Sequence, residues 1–150
     1  MQIKSLRAEE VDKSSPYSRD GLYLKMAKIW SENSYCERNQ VGCLIVKNGA
    51  IVSDGYNGTP HGFPNVCETT EGETHPYVLH AEANAISKIA KSNNSSEGST
   101  IYITLSPCYE CAKLIIQSGI KKVVFAEFYR KTESLELLQK AGIEILNIII

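Results

Sequence analysis

Thr100-Ile101-Tyr102-Ile103-Thr104-Leu105-Ser106-Pro107-Cys108-Tyr109-Glu110-Cys111-Ala112-Lys113 is the stretch on which the fold turns. Thr100 to Leu105 is rich in β-branched and aromatic residues and predicts a strand. Cys108 to Ser118 predicts a helix, stopped by Gly119. The same alternation continues with a strand over Lys122 to Ala126, a helix over Thr132 to Ala141 stopped by Gly142, and a strand over Glu144 to Ile149. Just upstream, Ala81 to Ser92 predicts another helix, with Ala85, Ile86, Ile89 and Ala90 on one side. Alternating strands and helices imply a largely parallel sheet with helices on both faces.

Further upstream the pattern changes. Val41 to Lys47 and Ala50 to Asp54 are short β-rich runs joined by Asn48-Gly49, a dipeptide suited to a type I′ turn, which predicts an antiparallel pair. The expected fold is therefore α/β, a three-layer α/β/α arrangement around a five-stranded mixed sheet. Arg19 to Ser34 predicts an amphipathic helix with Leu22, Tyr23, Met26, Ile29 and Trp30 on its buried stripe. Residues 1–17 show no period and read as a loosely attached N-terminal arm, with a single domain over 18–150. A polar, Gly- and Pro-rich loop from Gly55 to Pro76 is longer than a connector requires, and such loops in compact domains are usually functional or disordered.

Bulk properties exclude some functions. Sixteen Lys and Arg against seventeen Asp and Glu leave a net charge of -1, which offers no global field for a long nucleic acid. A small anion needs only one or two local basic groups. No apolar run is long enough to span a membrane, and the N-terminus lacks the apolar core of a signal peptide, so a cytoplasmic location is expected. Five cysteines in such a chain argue for thiols and metal ligands over disulfides.

The chemistry lies in two segments, His80-Ala81-Glu82 and Pro107-Cys108-Tyr109-Glu110-Cys111. H-x-E followed by P-C-x-x-C is the pattern of a zinc site that activates water against a nucleobase amine. His80, Cys108 and Cys111 would supply one imidazole and two thiolates, leaving the fourth tetrahedral position of Zn²⁺ open. Each ligand falls at a helix N-terminus, where free N–H groups and the macrodipole favour thiolate. Glu82 is then left to move protons, as base and later as acid. A thioredoxin-like redox reading of C-x-x-C at a helix start fits less well, because no proline follows Pro107 and that chemistry has no use for His80-Ala81-Glu82. A zinc-stabilised interaction module without catalysis is the remaining rival.

These segments, with Gln40-Val41-Gly42, Gly55-Tyr56-Asn57-Gly58-Thr59-Pro60 and Thr104-Leu105-Ser106, resemble the zinc-dependent nucleotide and nucleoside deaminases, and most closely the deoxycytidylate (dCMP) deaminases. The likeness spans roughly Ser18 to Ile145. It implies a cytidine deaminase-like fold and hydrolytic deamination of dCMP to dUMP and ammonia, feeding thymidylate synthesis. Another cytosine, guanine or adenosine substrate on the same fold is the alternative.

By the same resemblance, Arg38 would bind phosphate, Asn57 would contact the nucleotide near sugar and base, Ala81 would frame the base through its backbone, and Tyr129 with Arg130 would supply a second phosphate contact. Some relatives hold a second, structural zinc in the long loop. Cys67 and His75 are the residues available for it here, although the loop has no C-x-x-C or adjacent cysteine pair. The resemblance also implies a homo-oligomer, as large as a hexamer, with dCTP and dTTP as candidate effectors acting through the G-Y-N-G region.

Overall fold

The structure, a computed structural model, describes residues 2–150. Six strands form one sheet in the order β1-β6-β5-β4-β2-β3. In chain order the elements are β1 (Lys4–Arg7), α1 (Ser18–Trp30), β2 (Gly42–Lys47), β3 (Ala50–Tyr56), α2 (Ala81–Ala90), β4 (Thr100–Leu105), α3 (Tyr109–Gln117), β5 (Lys122–Glu127), α4 (Glu133–Lys140) and β6 (Glu144–Ile149). The pairs β4·β5, β5·β6 and β1·β6 are parallel, while β2 runs antiparallel to both β3 and β4. Asn48 (φ 51°) and Gly49 (φ 76°) both occupy the left-handed region that the tight β2–β3 turn demands.

The central strands are buried on both sides, and alternate residues divide between two cores. Cys43, Ile45, Ile101, Ile103, Val123 and Phe125 face α2, α3 and α4. Leu44, Val46, Tyr102, Val124 and Leu146 face α1. One helix on one face and three on the other make the three layers.

The sequence expectation needs three corrections. The sheet has six strands where five were expected, because the N-terminal arm contributes β1, which pairs in parallel with β6 through Lys4↔Leu146 to Arg7↔Ile149. Its side chains are mostly exposed, so it carries no apolar alternation and is held by backbone pairing that no local pattern reveals. The second concerns α1. Asp20, Gly21, Leu24 and Ala27 are its buried residues, whereas Leu22 (59 %), Met26 (46 %) and Ile29 (66 %) are exposed. The buried stripe is chosen by close approach and not by hydrophobicity. A Cβ on Gly42 of β2 would run into the Ala27 carbonyl, and Asp20 is held by the Tyr102 hydroxyl (2.6 Å) and the Lys122 ammonium (3.0 Å).

The third correction concerns the cysteines, since Cys36 and Cys67 form a disulfide. Their Cα atoms lie 5.1 Å apart across 31 residues of sequence. Neither parity nor spacing could have indicated that proximity.

Gly55, near the end of β3, sets how closely α2 approaches the sheet. A Cβ there would strike the Ala81 carbonyl and the Ala85 amide. Gly58, two residues beyond β3, has open space around its Cα. Gly55→Ala is therefore expected to cost about 1–3 kcal/mol in urea unfolding, the usual range for overpacking. Gly58→Ala should stay within about 0.5 kcal/mol. Equal costs at the two positions would remove Gly55 from this role.

Candidate active site

The carboxyl ends of the central strands β4 and β5 and the first turns of α2 and α3 meet at one end of the sheet, the end at which ligands bind in open α/β folds. His80 is the N-cap of α2 and Cys108 the N-cap of α3, both with extended backbone (ψ 158° and 171°). Being outside the regular helix frees His80 from the rule that residues two apart point to opposite sides. His80 Nδ1 lies 3.4 Å from the sulfurs of both Cys108 and Cys111. The three ligand atoms are all within 4.8 Å of one another.

This donor set fits zinc. With Zn–S near 2.3 Å and Zn–N near 2.1 Å, the N···S edge of a tetrahedron is about 3.6 Å. Electrostatics point the same way. Cys108 is brought down to about 4, chiefly by its hydrogen bond with Cys111 and then by His80, while Cys111 is raised because the two sulfurs share one proton. The thiol contact also raises the His80 imidazole. The lowered Cys108 thiol supplies the negative donor that a cation would neutralise, and binding one would displace the remaining protons.

Glu82, in the first turn of α2, is 4 % exposed. Burial pushes its carboxyl up to about 7. A carboxyl so placed can take and return a proton near neutral pH. The turn that carries it is fixed from below, since the Cys43 thiol donates to the Ala81 carbonyl (3.2 Å) beside Gly55. Asn84 of the same helix donates to the Tyr56 carbonyl (2.8 Å), which ties α2 to the end of β3.

A cavity of about 530 Å³ opens over these groups. His80, Ala81, Glu82 and Cys108 form one wall, and Arg38, Asn57, Tyr129 and Arg130 also line it. The structure thus brings together the metal-ligand candidates, the Glu82 carboxyl and every residue expected near substrate. Cys111 is buried beneath them.

Asn57 does more than line the cavity. Its Oδ1 accepts from the Val41 amide (2.9 Å) and its Nδ2 donates to the Asn39 carbonyl (2.8 Å), so it anchors the strand entry just after Arg38. Tyr129 is set by its amide donating to the buried Ser106 hydroxyl (2.6 Å).

Cys67 and His75 do not form the metal pair suggested by the resemblance. The Cys67 sulfur is bonded to Cys36, and the His75 ring stacks on Tyr77 (4.8 Å between centroids). The titratable neighbour of Cys36 and Cys67 is Glu68. Sequence reasoning missed Glu68, which lines the cavity and accepts from the amides of Glu37 and Arg38. Its partners lie about thirty residues away, beyond the reach of any periodicity.

A family model of the cytidine and deoxycytidylate deaminase zinc-binding region matches residues 18–127. The deoxycytidylate deaminase of Enterobacteria phage T4 is 37 % identical, over 83 % of this chain and 87 % of that protein. The human deoxycytidylate deaminase is 39 % identical, over 69 % of this chain and 61 % of its own length. Among solved structures, the dCMP deaminase of cyanophage S-TIM5 in complex with dCMP and dUMP aligns with a TM-score of 0.84 and 46 % identity, covering 89 % of this chain and 98 % of that one. With more than half its length matched by the family model and its His, Cys and Cys ligands gathered at one point, the chain belongs to the zinc-binding cytidine and deoxycytidylate deaminase family.

Proposed function

We propose that the protein hydrolyses dCMP to dUMP and ammonia. The observation that carries this reading is the buried Glu82 carboxyl beside the His80, Cys108 and Cys111 donor set, in a cavity that also presents Arg38 and Arg130. A volume of about 530 Å³ lies within the usual range of ligand pockets. Bound by the three ligands, zinc supplies the Lewis acidity that makes a water reactive at neutral pH. Glu82 takes a proton from the attacking water, delivers it to the pyrimidine ring nitrogen, and later passes a proton to the departing amine. Water adds at C4, the C4–N bond breaks, and ammonia leaves. Arg38 and Arg130 hold the phosphate, and Asn57 has one N–H and one lone pair left for the sugar or base.

The cyanophage enzyme's complex with dCMP and dUMP supports the choice of nucleotide, given its likeness over nearly the whole chain. We extend the reading to a homo-oligomer, up to a hexamer, supported by the exposed apolar face of Leu22, Met26 and Ile29 on α1. A second recess of about 250 Å³, lined by Tyr56, Gly58, Thr59 and Phe63 beside Asn57, is where a dCTP or dTTP effector would sit. No helix among the described residues is long and apolar enough to cross a membrane. We place the enzyme in the cytoplasm with its nucleotide.

Three outcomes are expected. Glu82→Gln keeps its zinc by metal analysis and loses about 10²–10⁴ in kcat/KM for dCMP; full turnover in that variant sinks the mechanism. Metal-loaded protein offered dCMP, dCTP, deoxycytidine and cytosine in separate absorbance assays turns over dCMP fastest; no change with any of the four favours the interaction module. Met26→Asp with Ile29→Asp reduces the mass measured by analytical ultracentrifugation, whereas an unchanged mass removes α1 from the interface.

A further inference from the structure

Arg38 sits in irregular chain between α1 and β2, so no helix or strand fixes its position. Two side chains do so. Asn57 holds the downstream side through Asn39 and Val41. On the upstream side, the Glu68 carboxylate accepts from the amides of Glu37 (3.1 Å) and Arg38 (3.4 Å). Glu68 is itself anchored twice. It pairs with Thr74 in a small hairpin, within which the His75 amide donates to the Cys67 carbonyl (2.7 Å) and the Thr69 amide to the Glu73 carbonyl (2.7 Å). Its neighbour Cys67 is covalently joined to Cys36. The segments around 36–38 and 67–68 are thus joined at adjacent positions by a disulfide and by a carboxylate bridging two amides.

Glu68 also lines the cavity, where a carboxylate is unexpected because the substrate is an anion. A free negative charge there would oppose phosphate binding. With its oxygens accepting from the Glu37 and Arg38 amides, the same carboxylate instead ties down the backbone at Arg38. We propose that Glu68 is a positioning residue for nucleotide specificity, its carboxylate fixing the backbone from which Arg38 reaches the 5′-phosphate. The inference rests on reading Arg38 as the phosphate contact of a dCMP deaminase. The two roles open to Glu68 predict opposite signs: removing a repulsive charge lowers KM for dCMP, and removing a positioning acceptor raises it.

The test compares the zinc-loaded full chain with Glu68→Ala, Glu68→Gln and Arg38→Ala, using dCMP and deoxycytidine as substrates. Glu68→Ala is expected to raise KM for dCMP about tenfold with kcat within about twofold, since misplacing a binding group by a fraction of an ångström has effects of this order. Turnover of deoxycytidine, which has no phosphate, stays unchanged. Glu68→Gln keeps an acceptor oxygen and restores most of the affinity for dCMP.

A fall in KM for dCMP in Glu68→Ala overturns the proposal, as does an equal loss on both substrates, which marks a general structural defect. If Arg38→Ala raises KM for dCMP and Glu68→Ala does not, the positioning role fails while the phosphate reading stands. If Arg38→Ala leaves KM for dCMP unchanged, both fail together.

Discussion

The first turn of α2 lies so close to β3 that Gly55 has no room for a Cβ, and the Cys43 thiol on β2 donates to the Ala81 carbonyl in that same turn. Everything the site does depends on this approach. It puts His80 and Glu82 at the carboxyl end of the strands, where β4 delivers Cys108 and Cys111 at the start of α3. A helix start is what makes the arrangement feasible, because extended backbone at an N-cap allows residues two apart to address one point. The same termini present free amides, one of which donates to the Cys108 sulfur (3.4 Å).

Two kinds of charge share a small volume here without cancelling each other. A sulfur pair and an imidazole form a cluster that is short of one cation, and a carboxyl raised by burial lies just beyond it. Arg38 and Arg130 line the same cavity. The cavity thus has basic groups and a raised carboxyl in its lining. Glu68 lines the same cavity, with its carboxylate accepting from the amides of Glu37 and Arg38.

Much of the fold could be read locally. Strand β4, helix α3 and strand β5 follow from β-branched runs, a capped helix and Gly119, whose φ of 80° is that of a helix-ending glycine. The hairpin at Asn48-Gly49 follows from turn chemistry alone. Helix α1 was located correctly but faced the wrong way, because hydrophobicity marked Leu22, Met26 and Ile29 whereas the packing selected Gly21, Leu24 and Ala27. Small residues bury a helix by allowing backbone contact, and an apolar count gives them little weight. The polar Asp20 is buried on that face because Tyr102 and Lys122 satisfy it.

By itself the sequence determined the chemistry: one imidazole, two thiols and one carboxyl at spacings that two helix starts bring to a point, since ligand geometry there is set within a single turn. Tertiary structure alone decided what surrounds that chemistry. The pairing of β1 with β6, the union of Cys36 with Cys67, and the grip of Glu68 and Asn57 on the segment carrying Arg38 all join residues far apart in the chain. Such contacts are fixed by how layers pack and strands order themselves, and no local periodicity encodes them. The metal-binding motif and the residues named for the nucleotide were therefore legible before the fold, and what fixes the segment carrying Arg38 only after it.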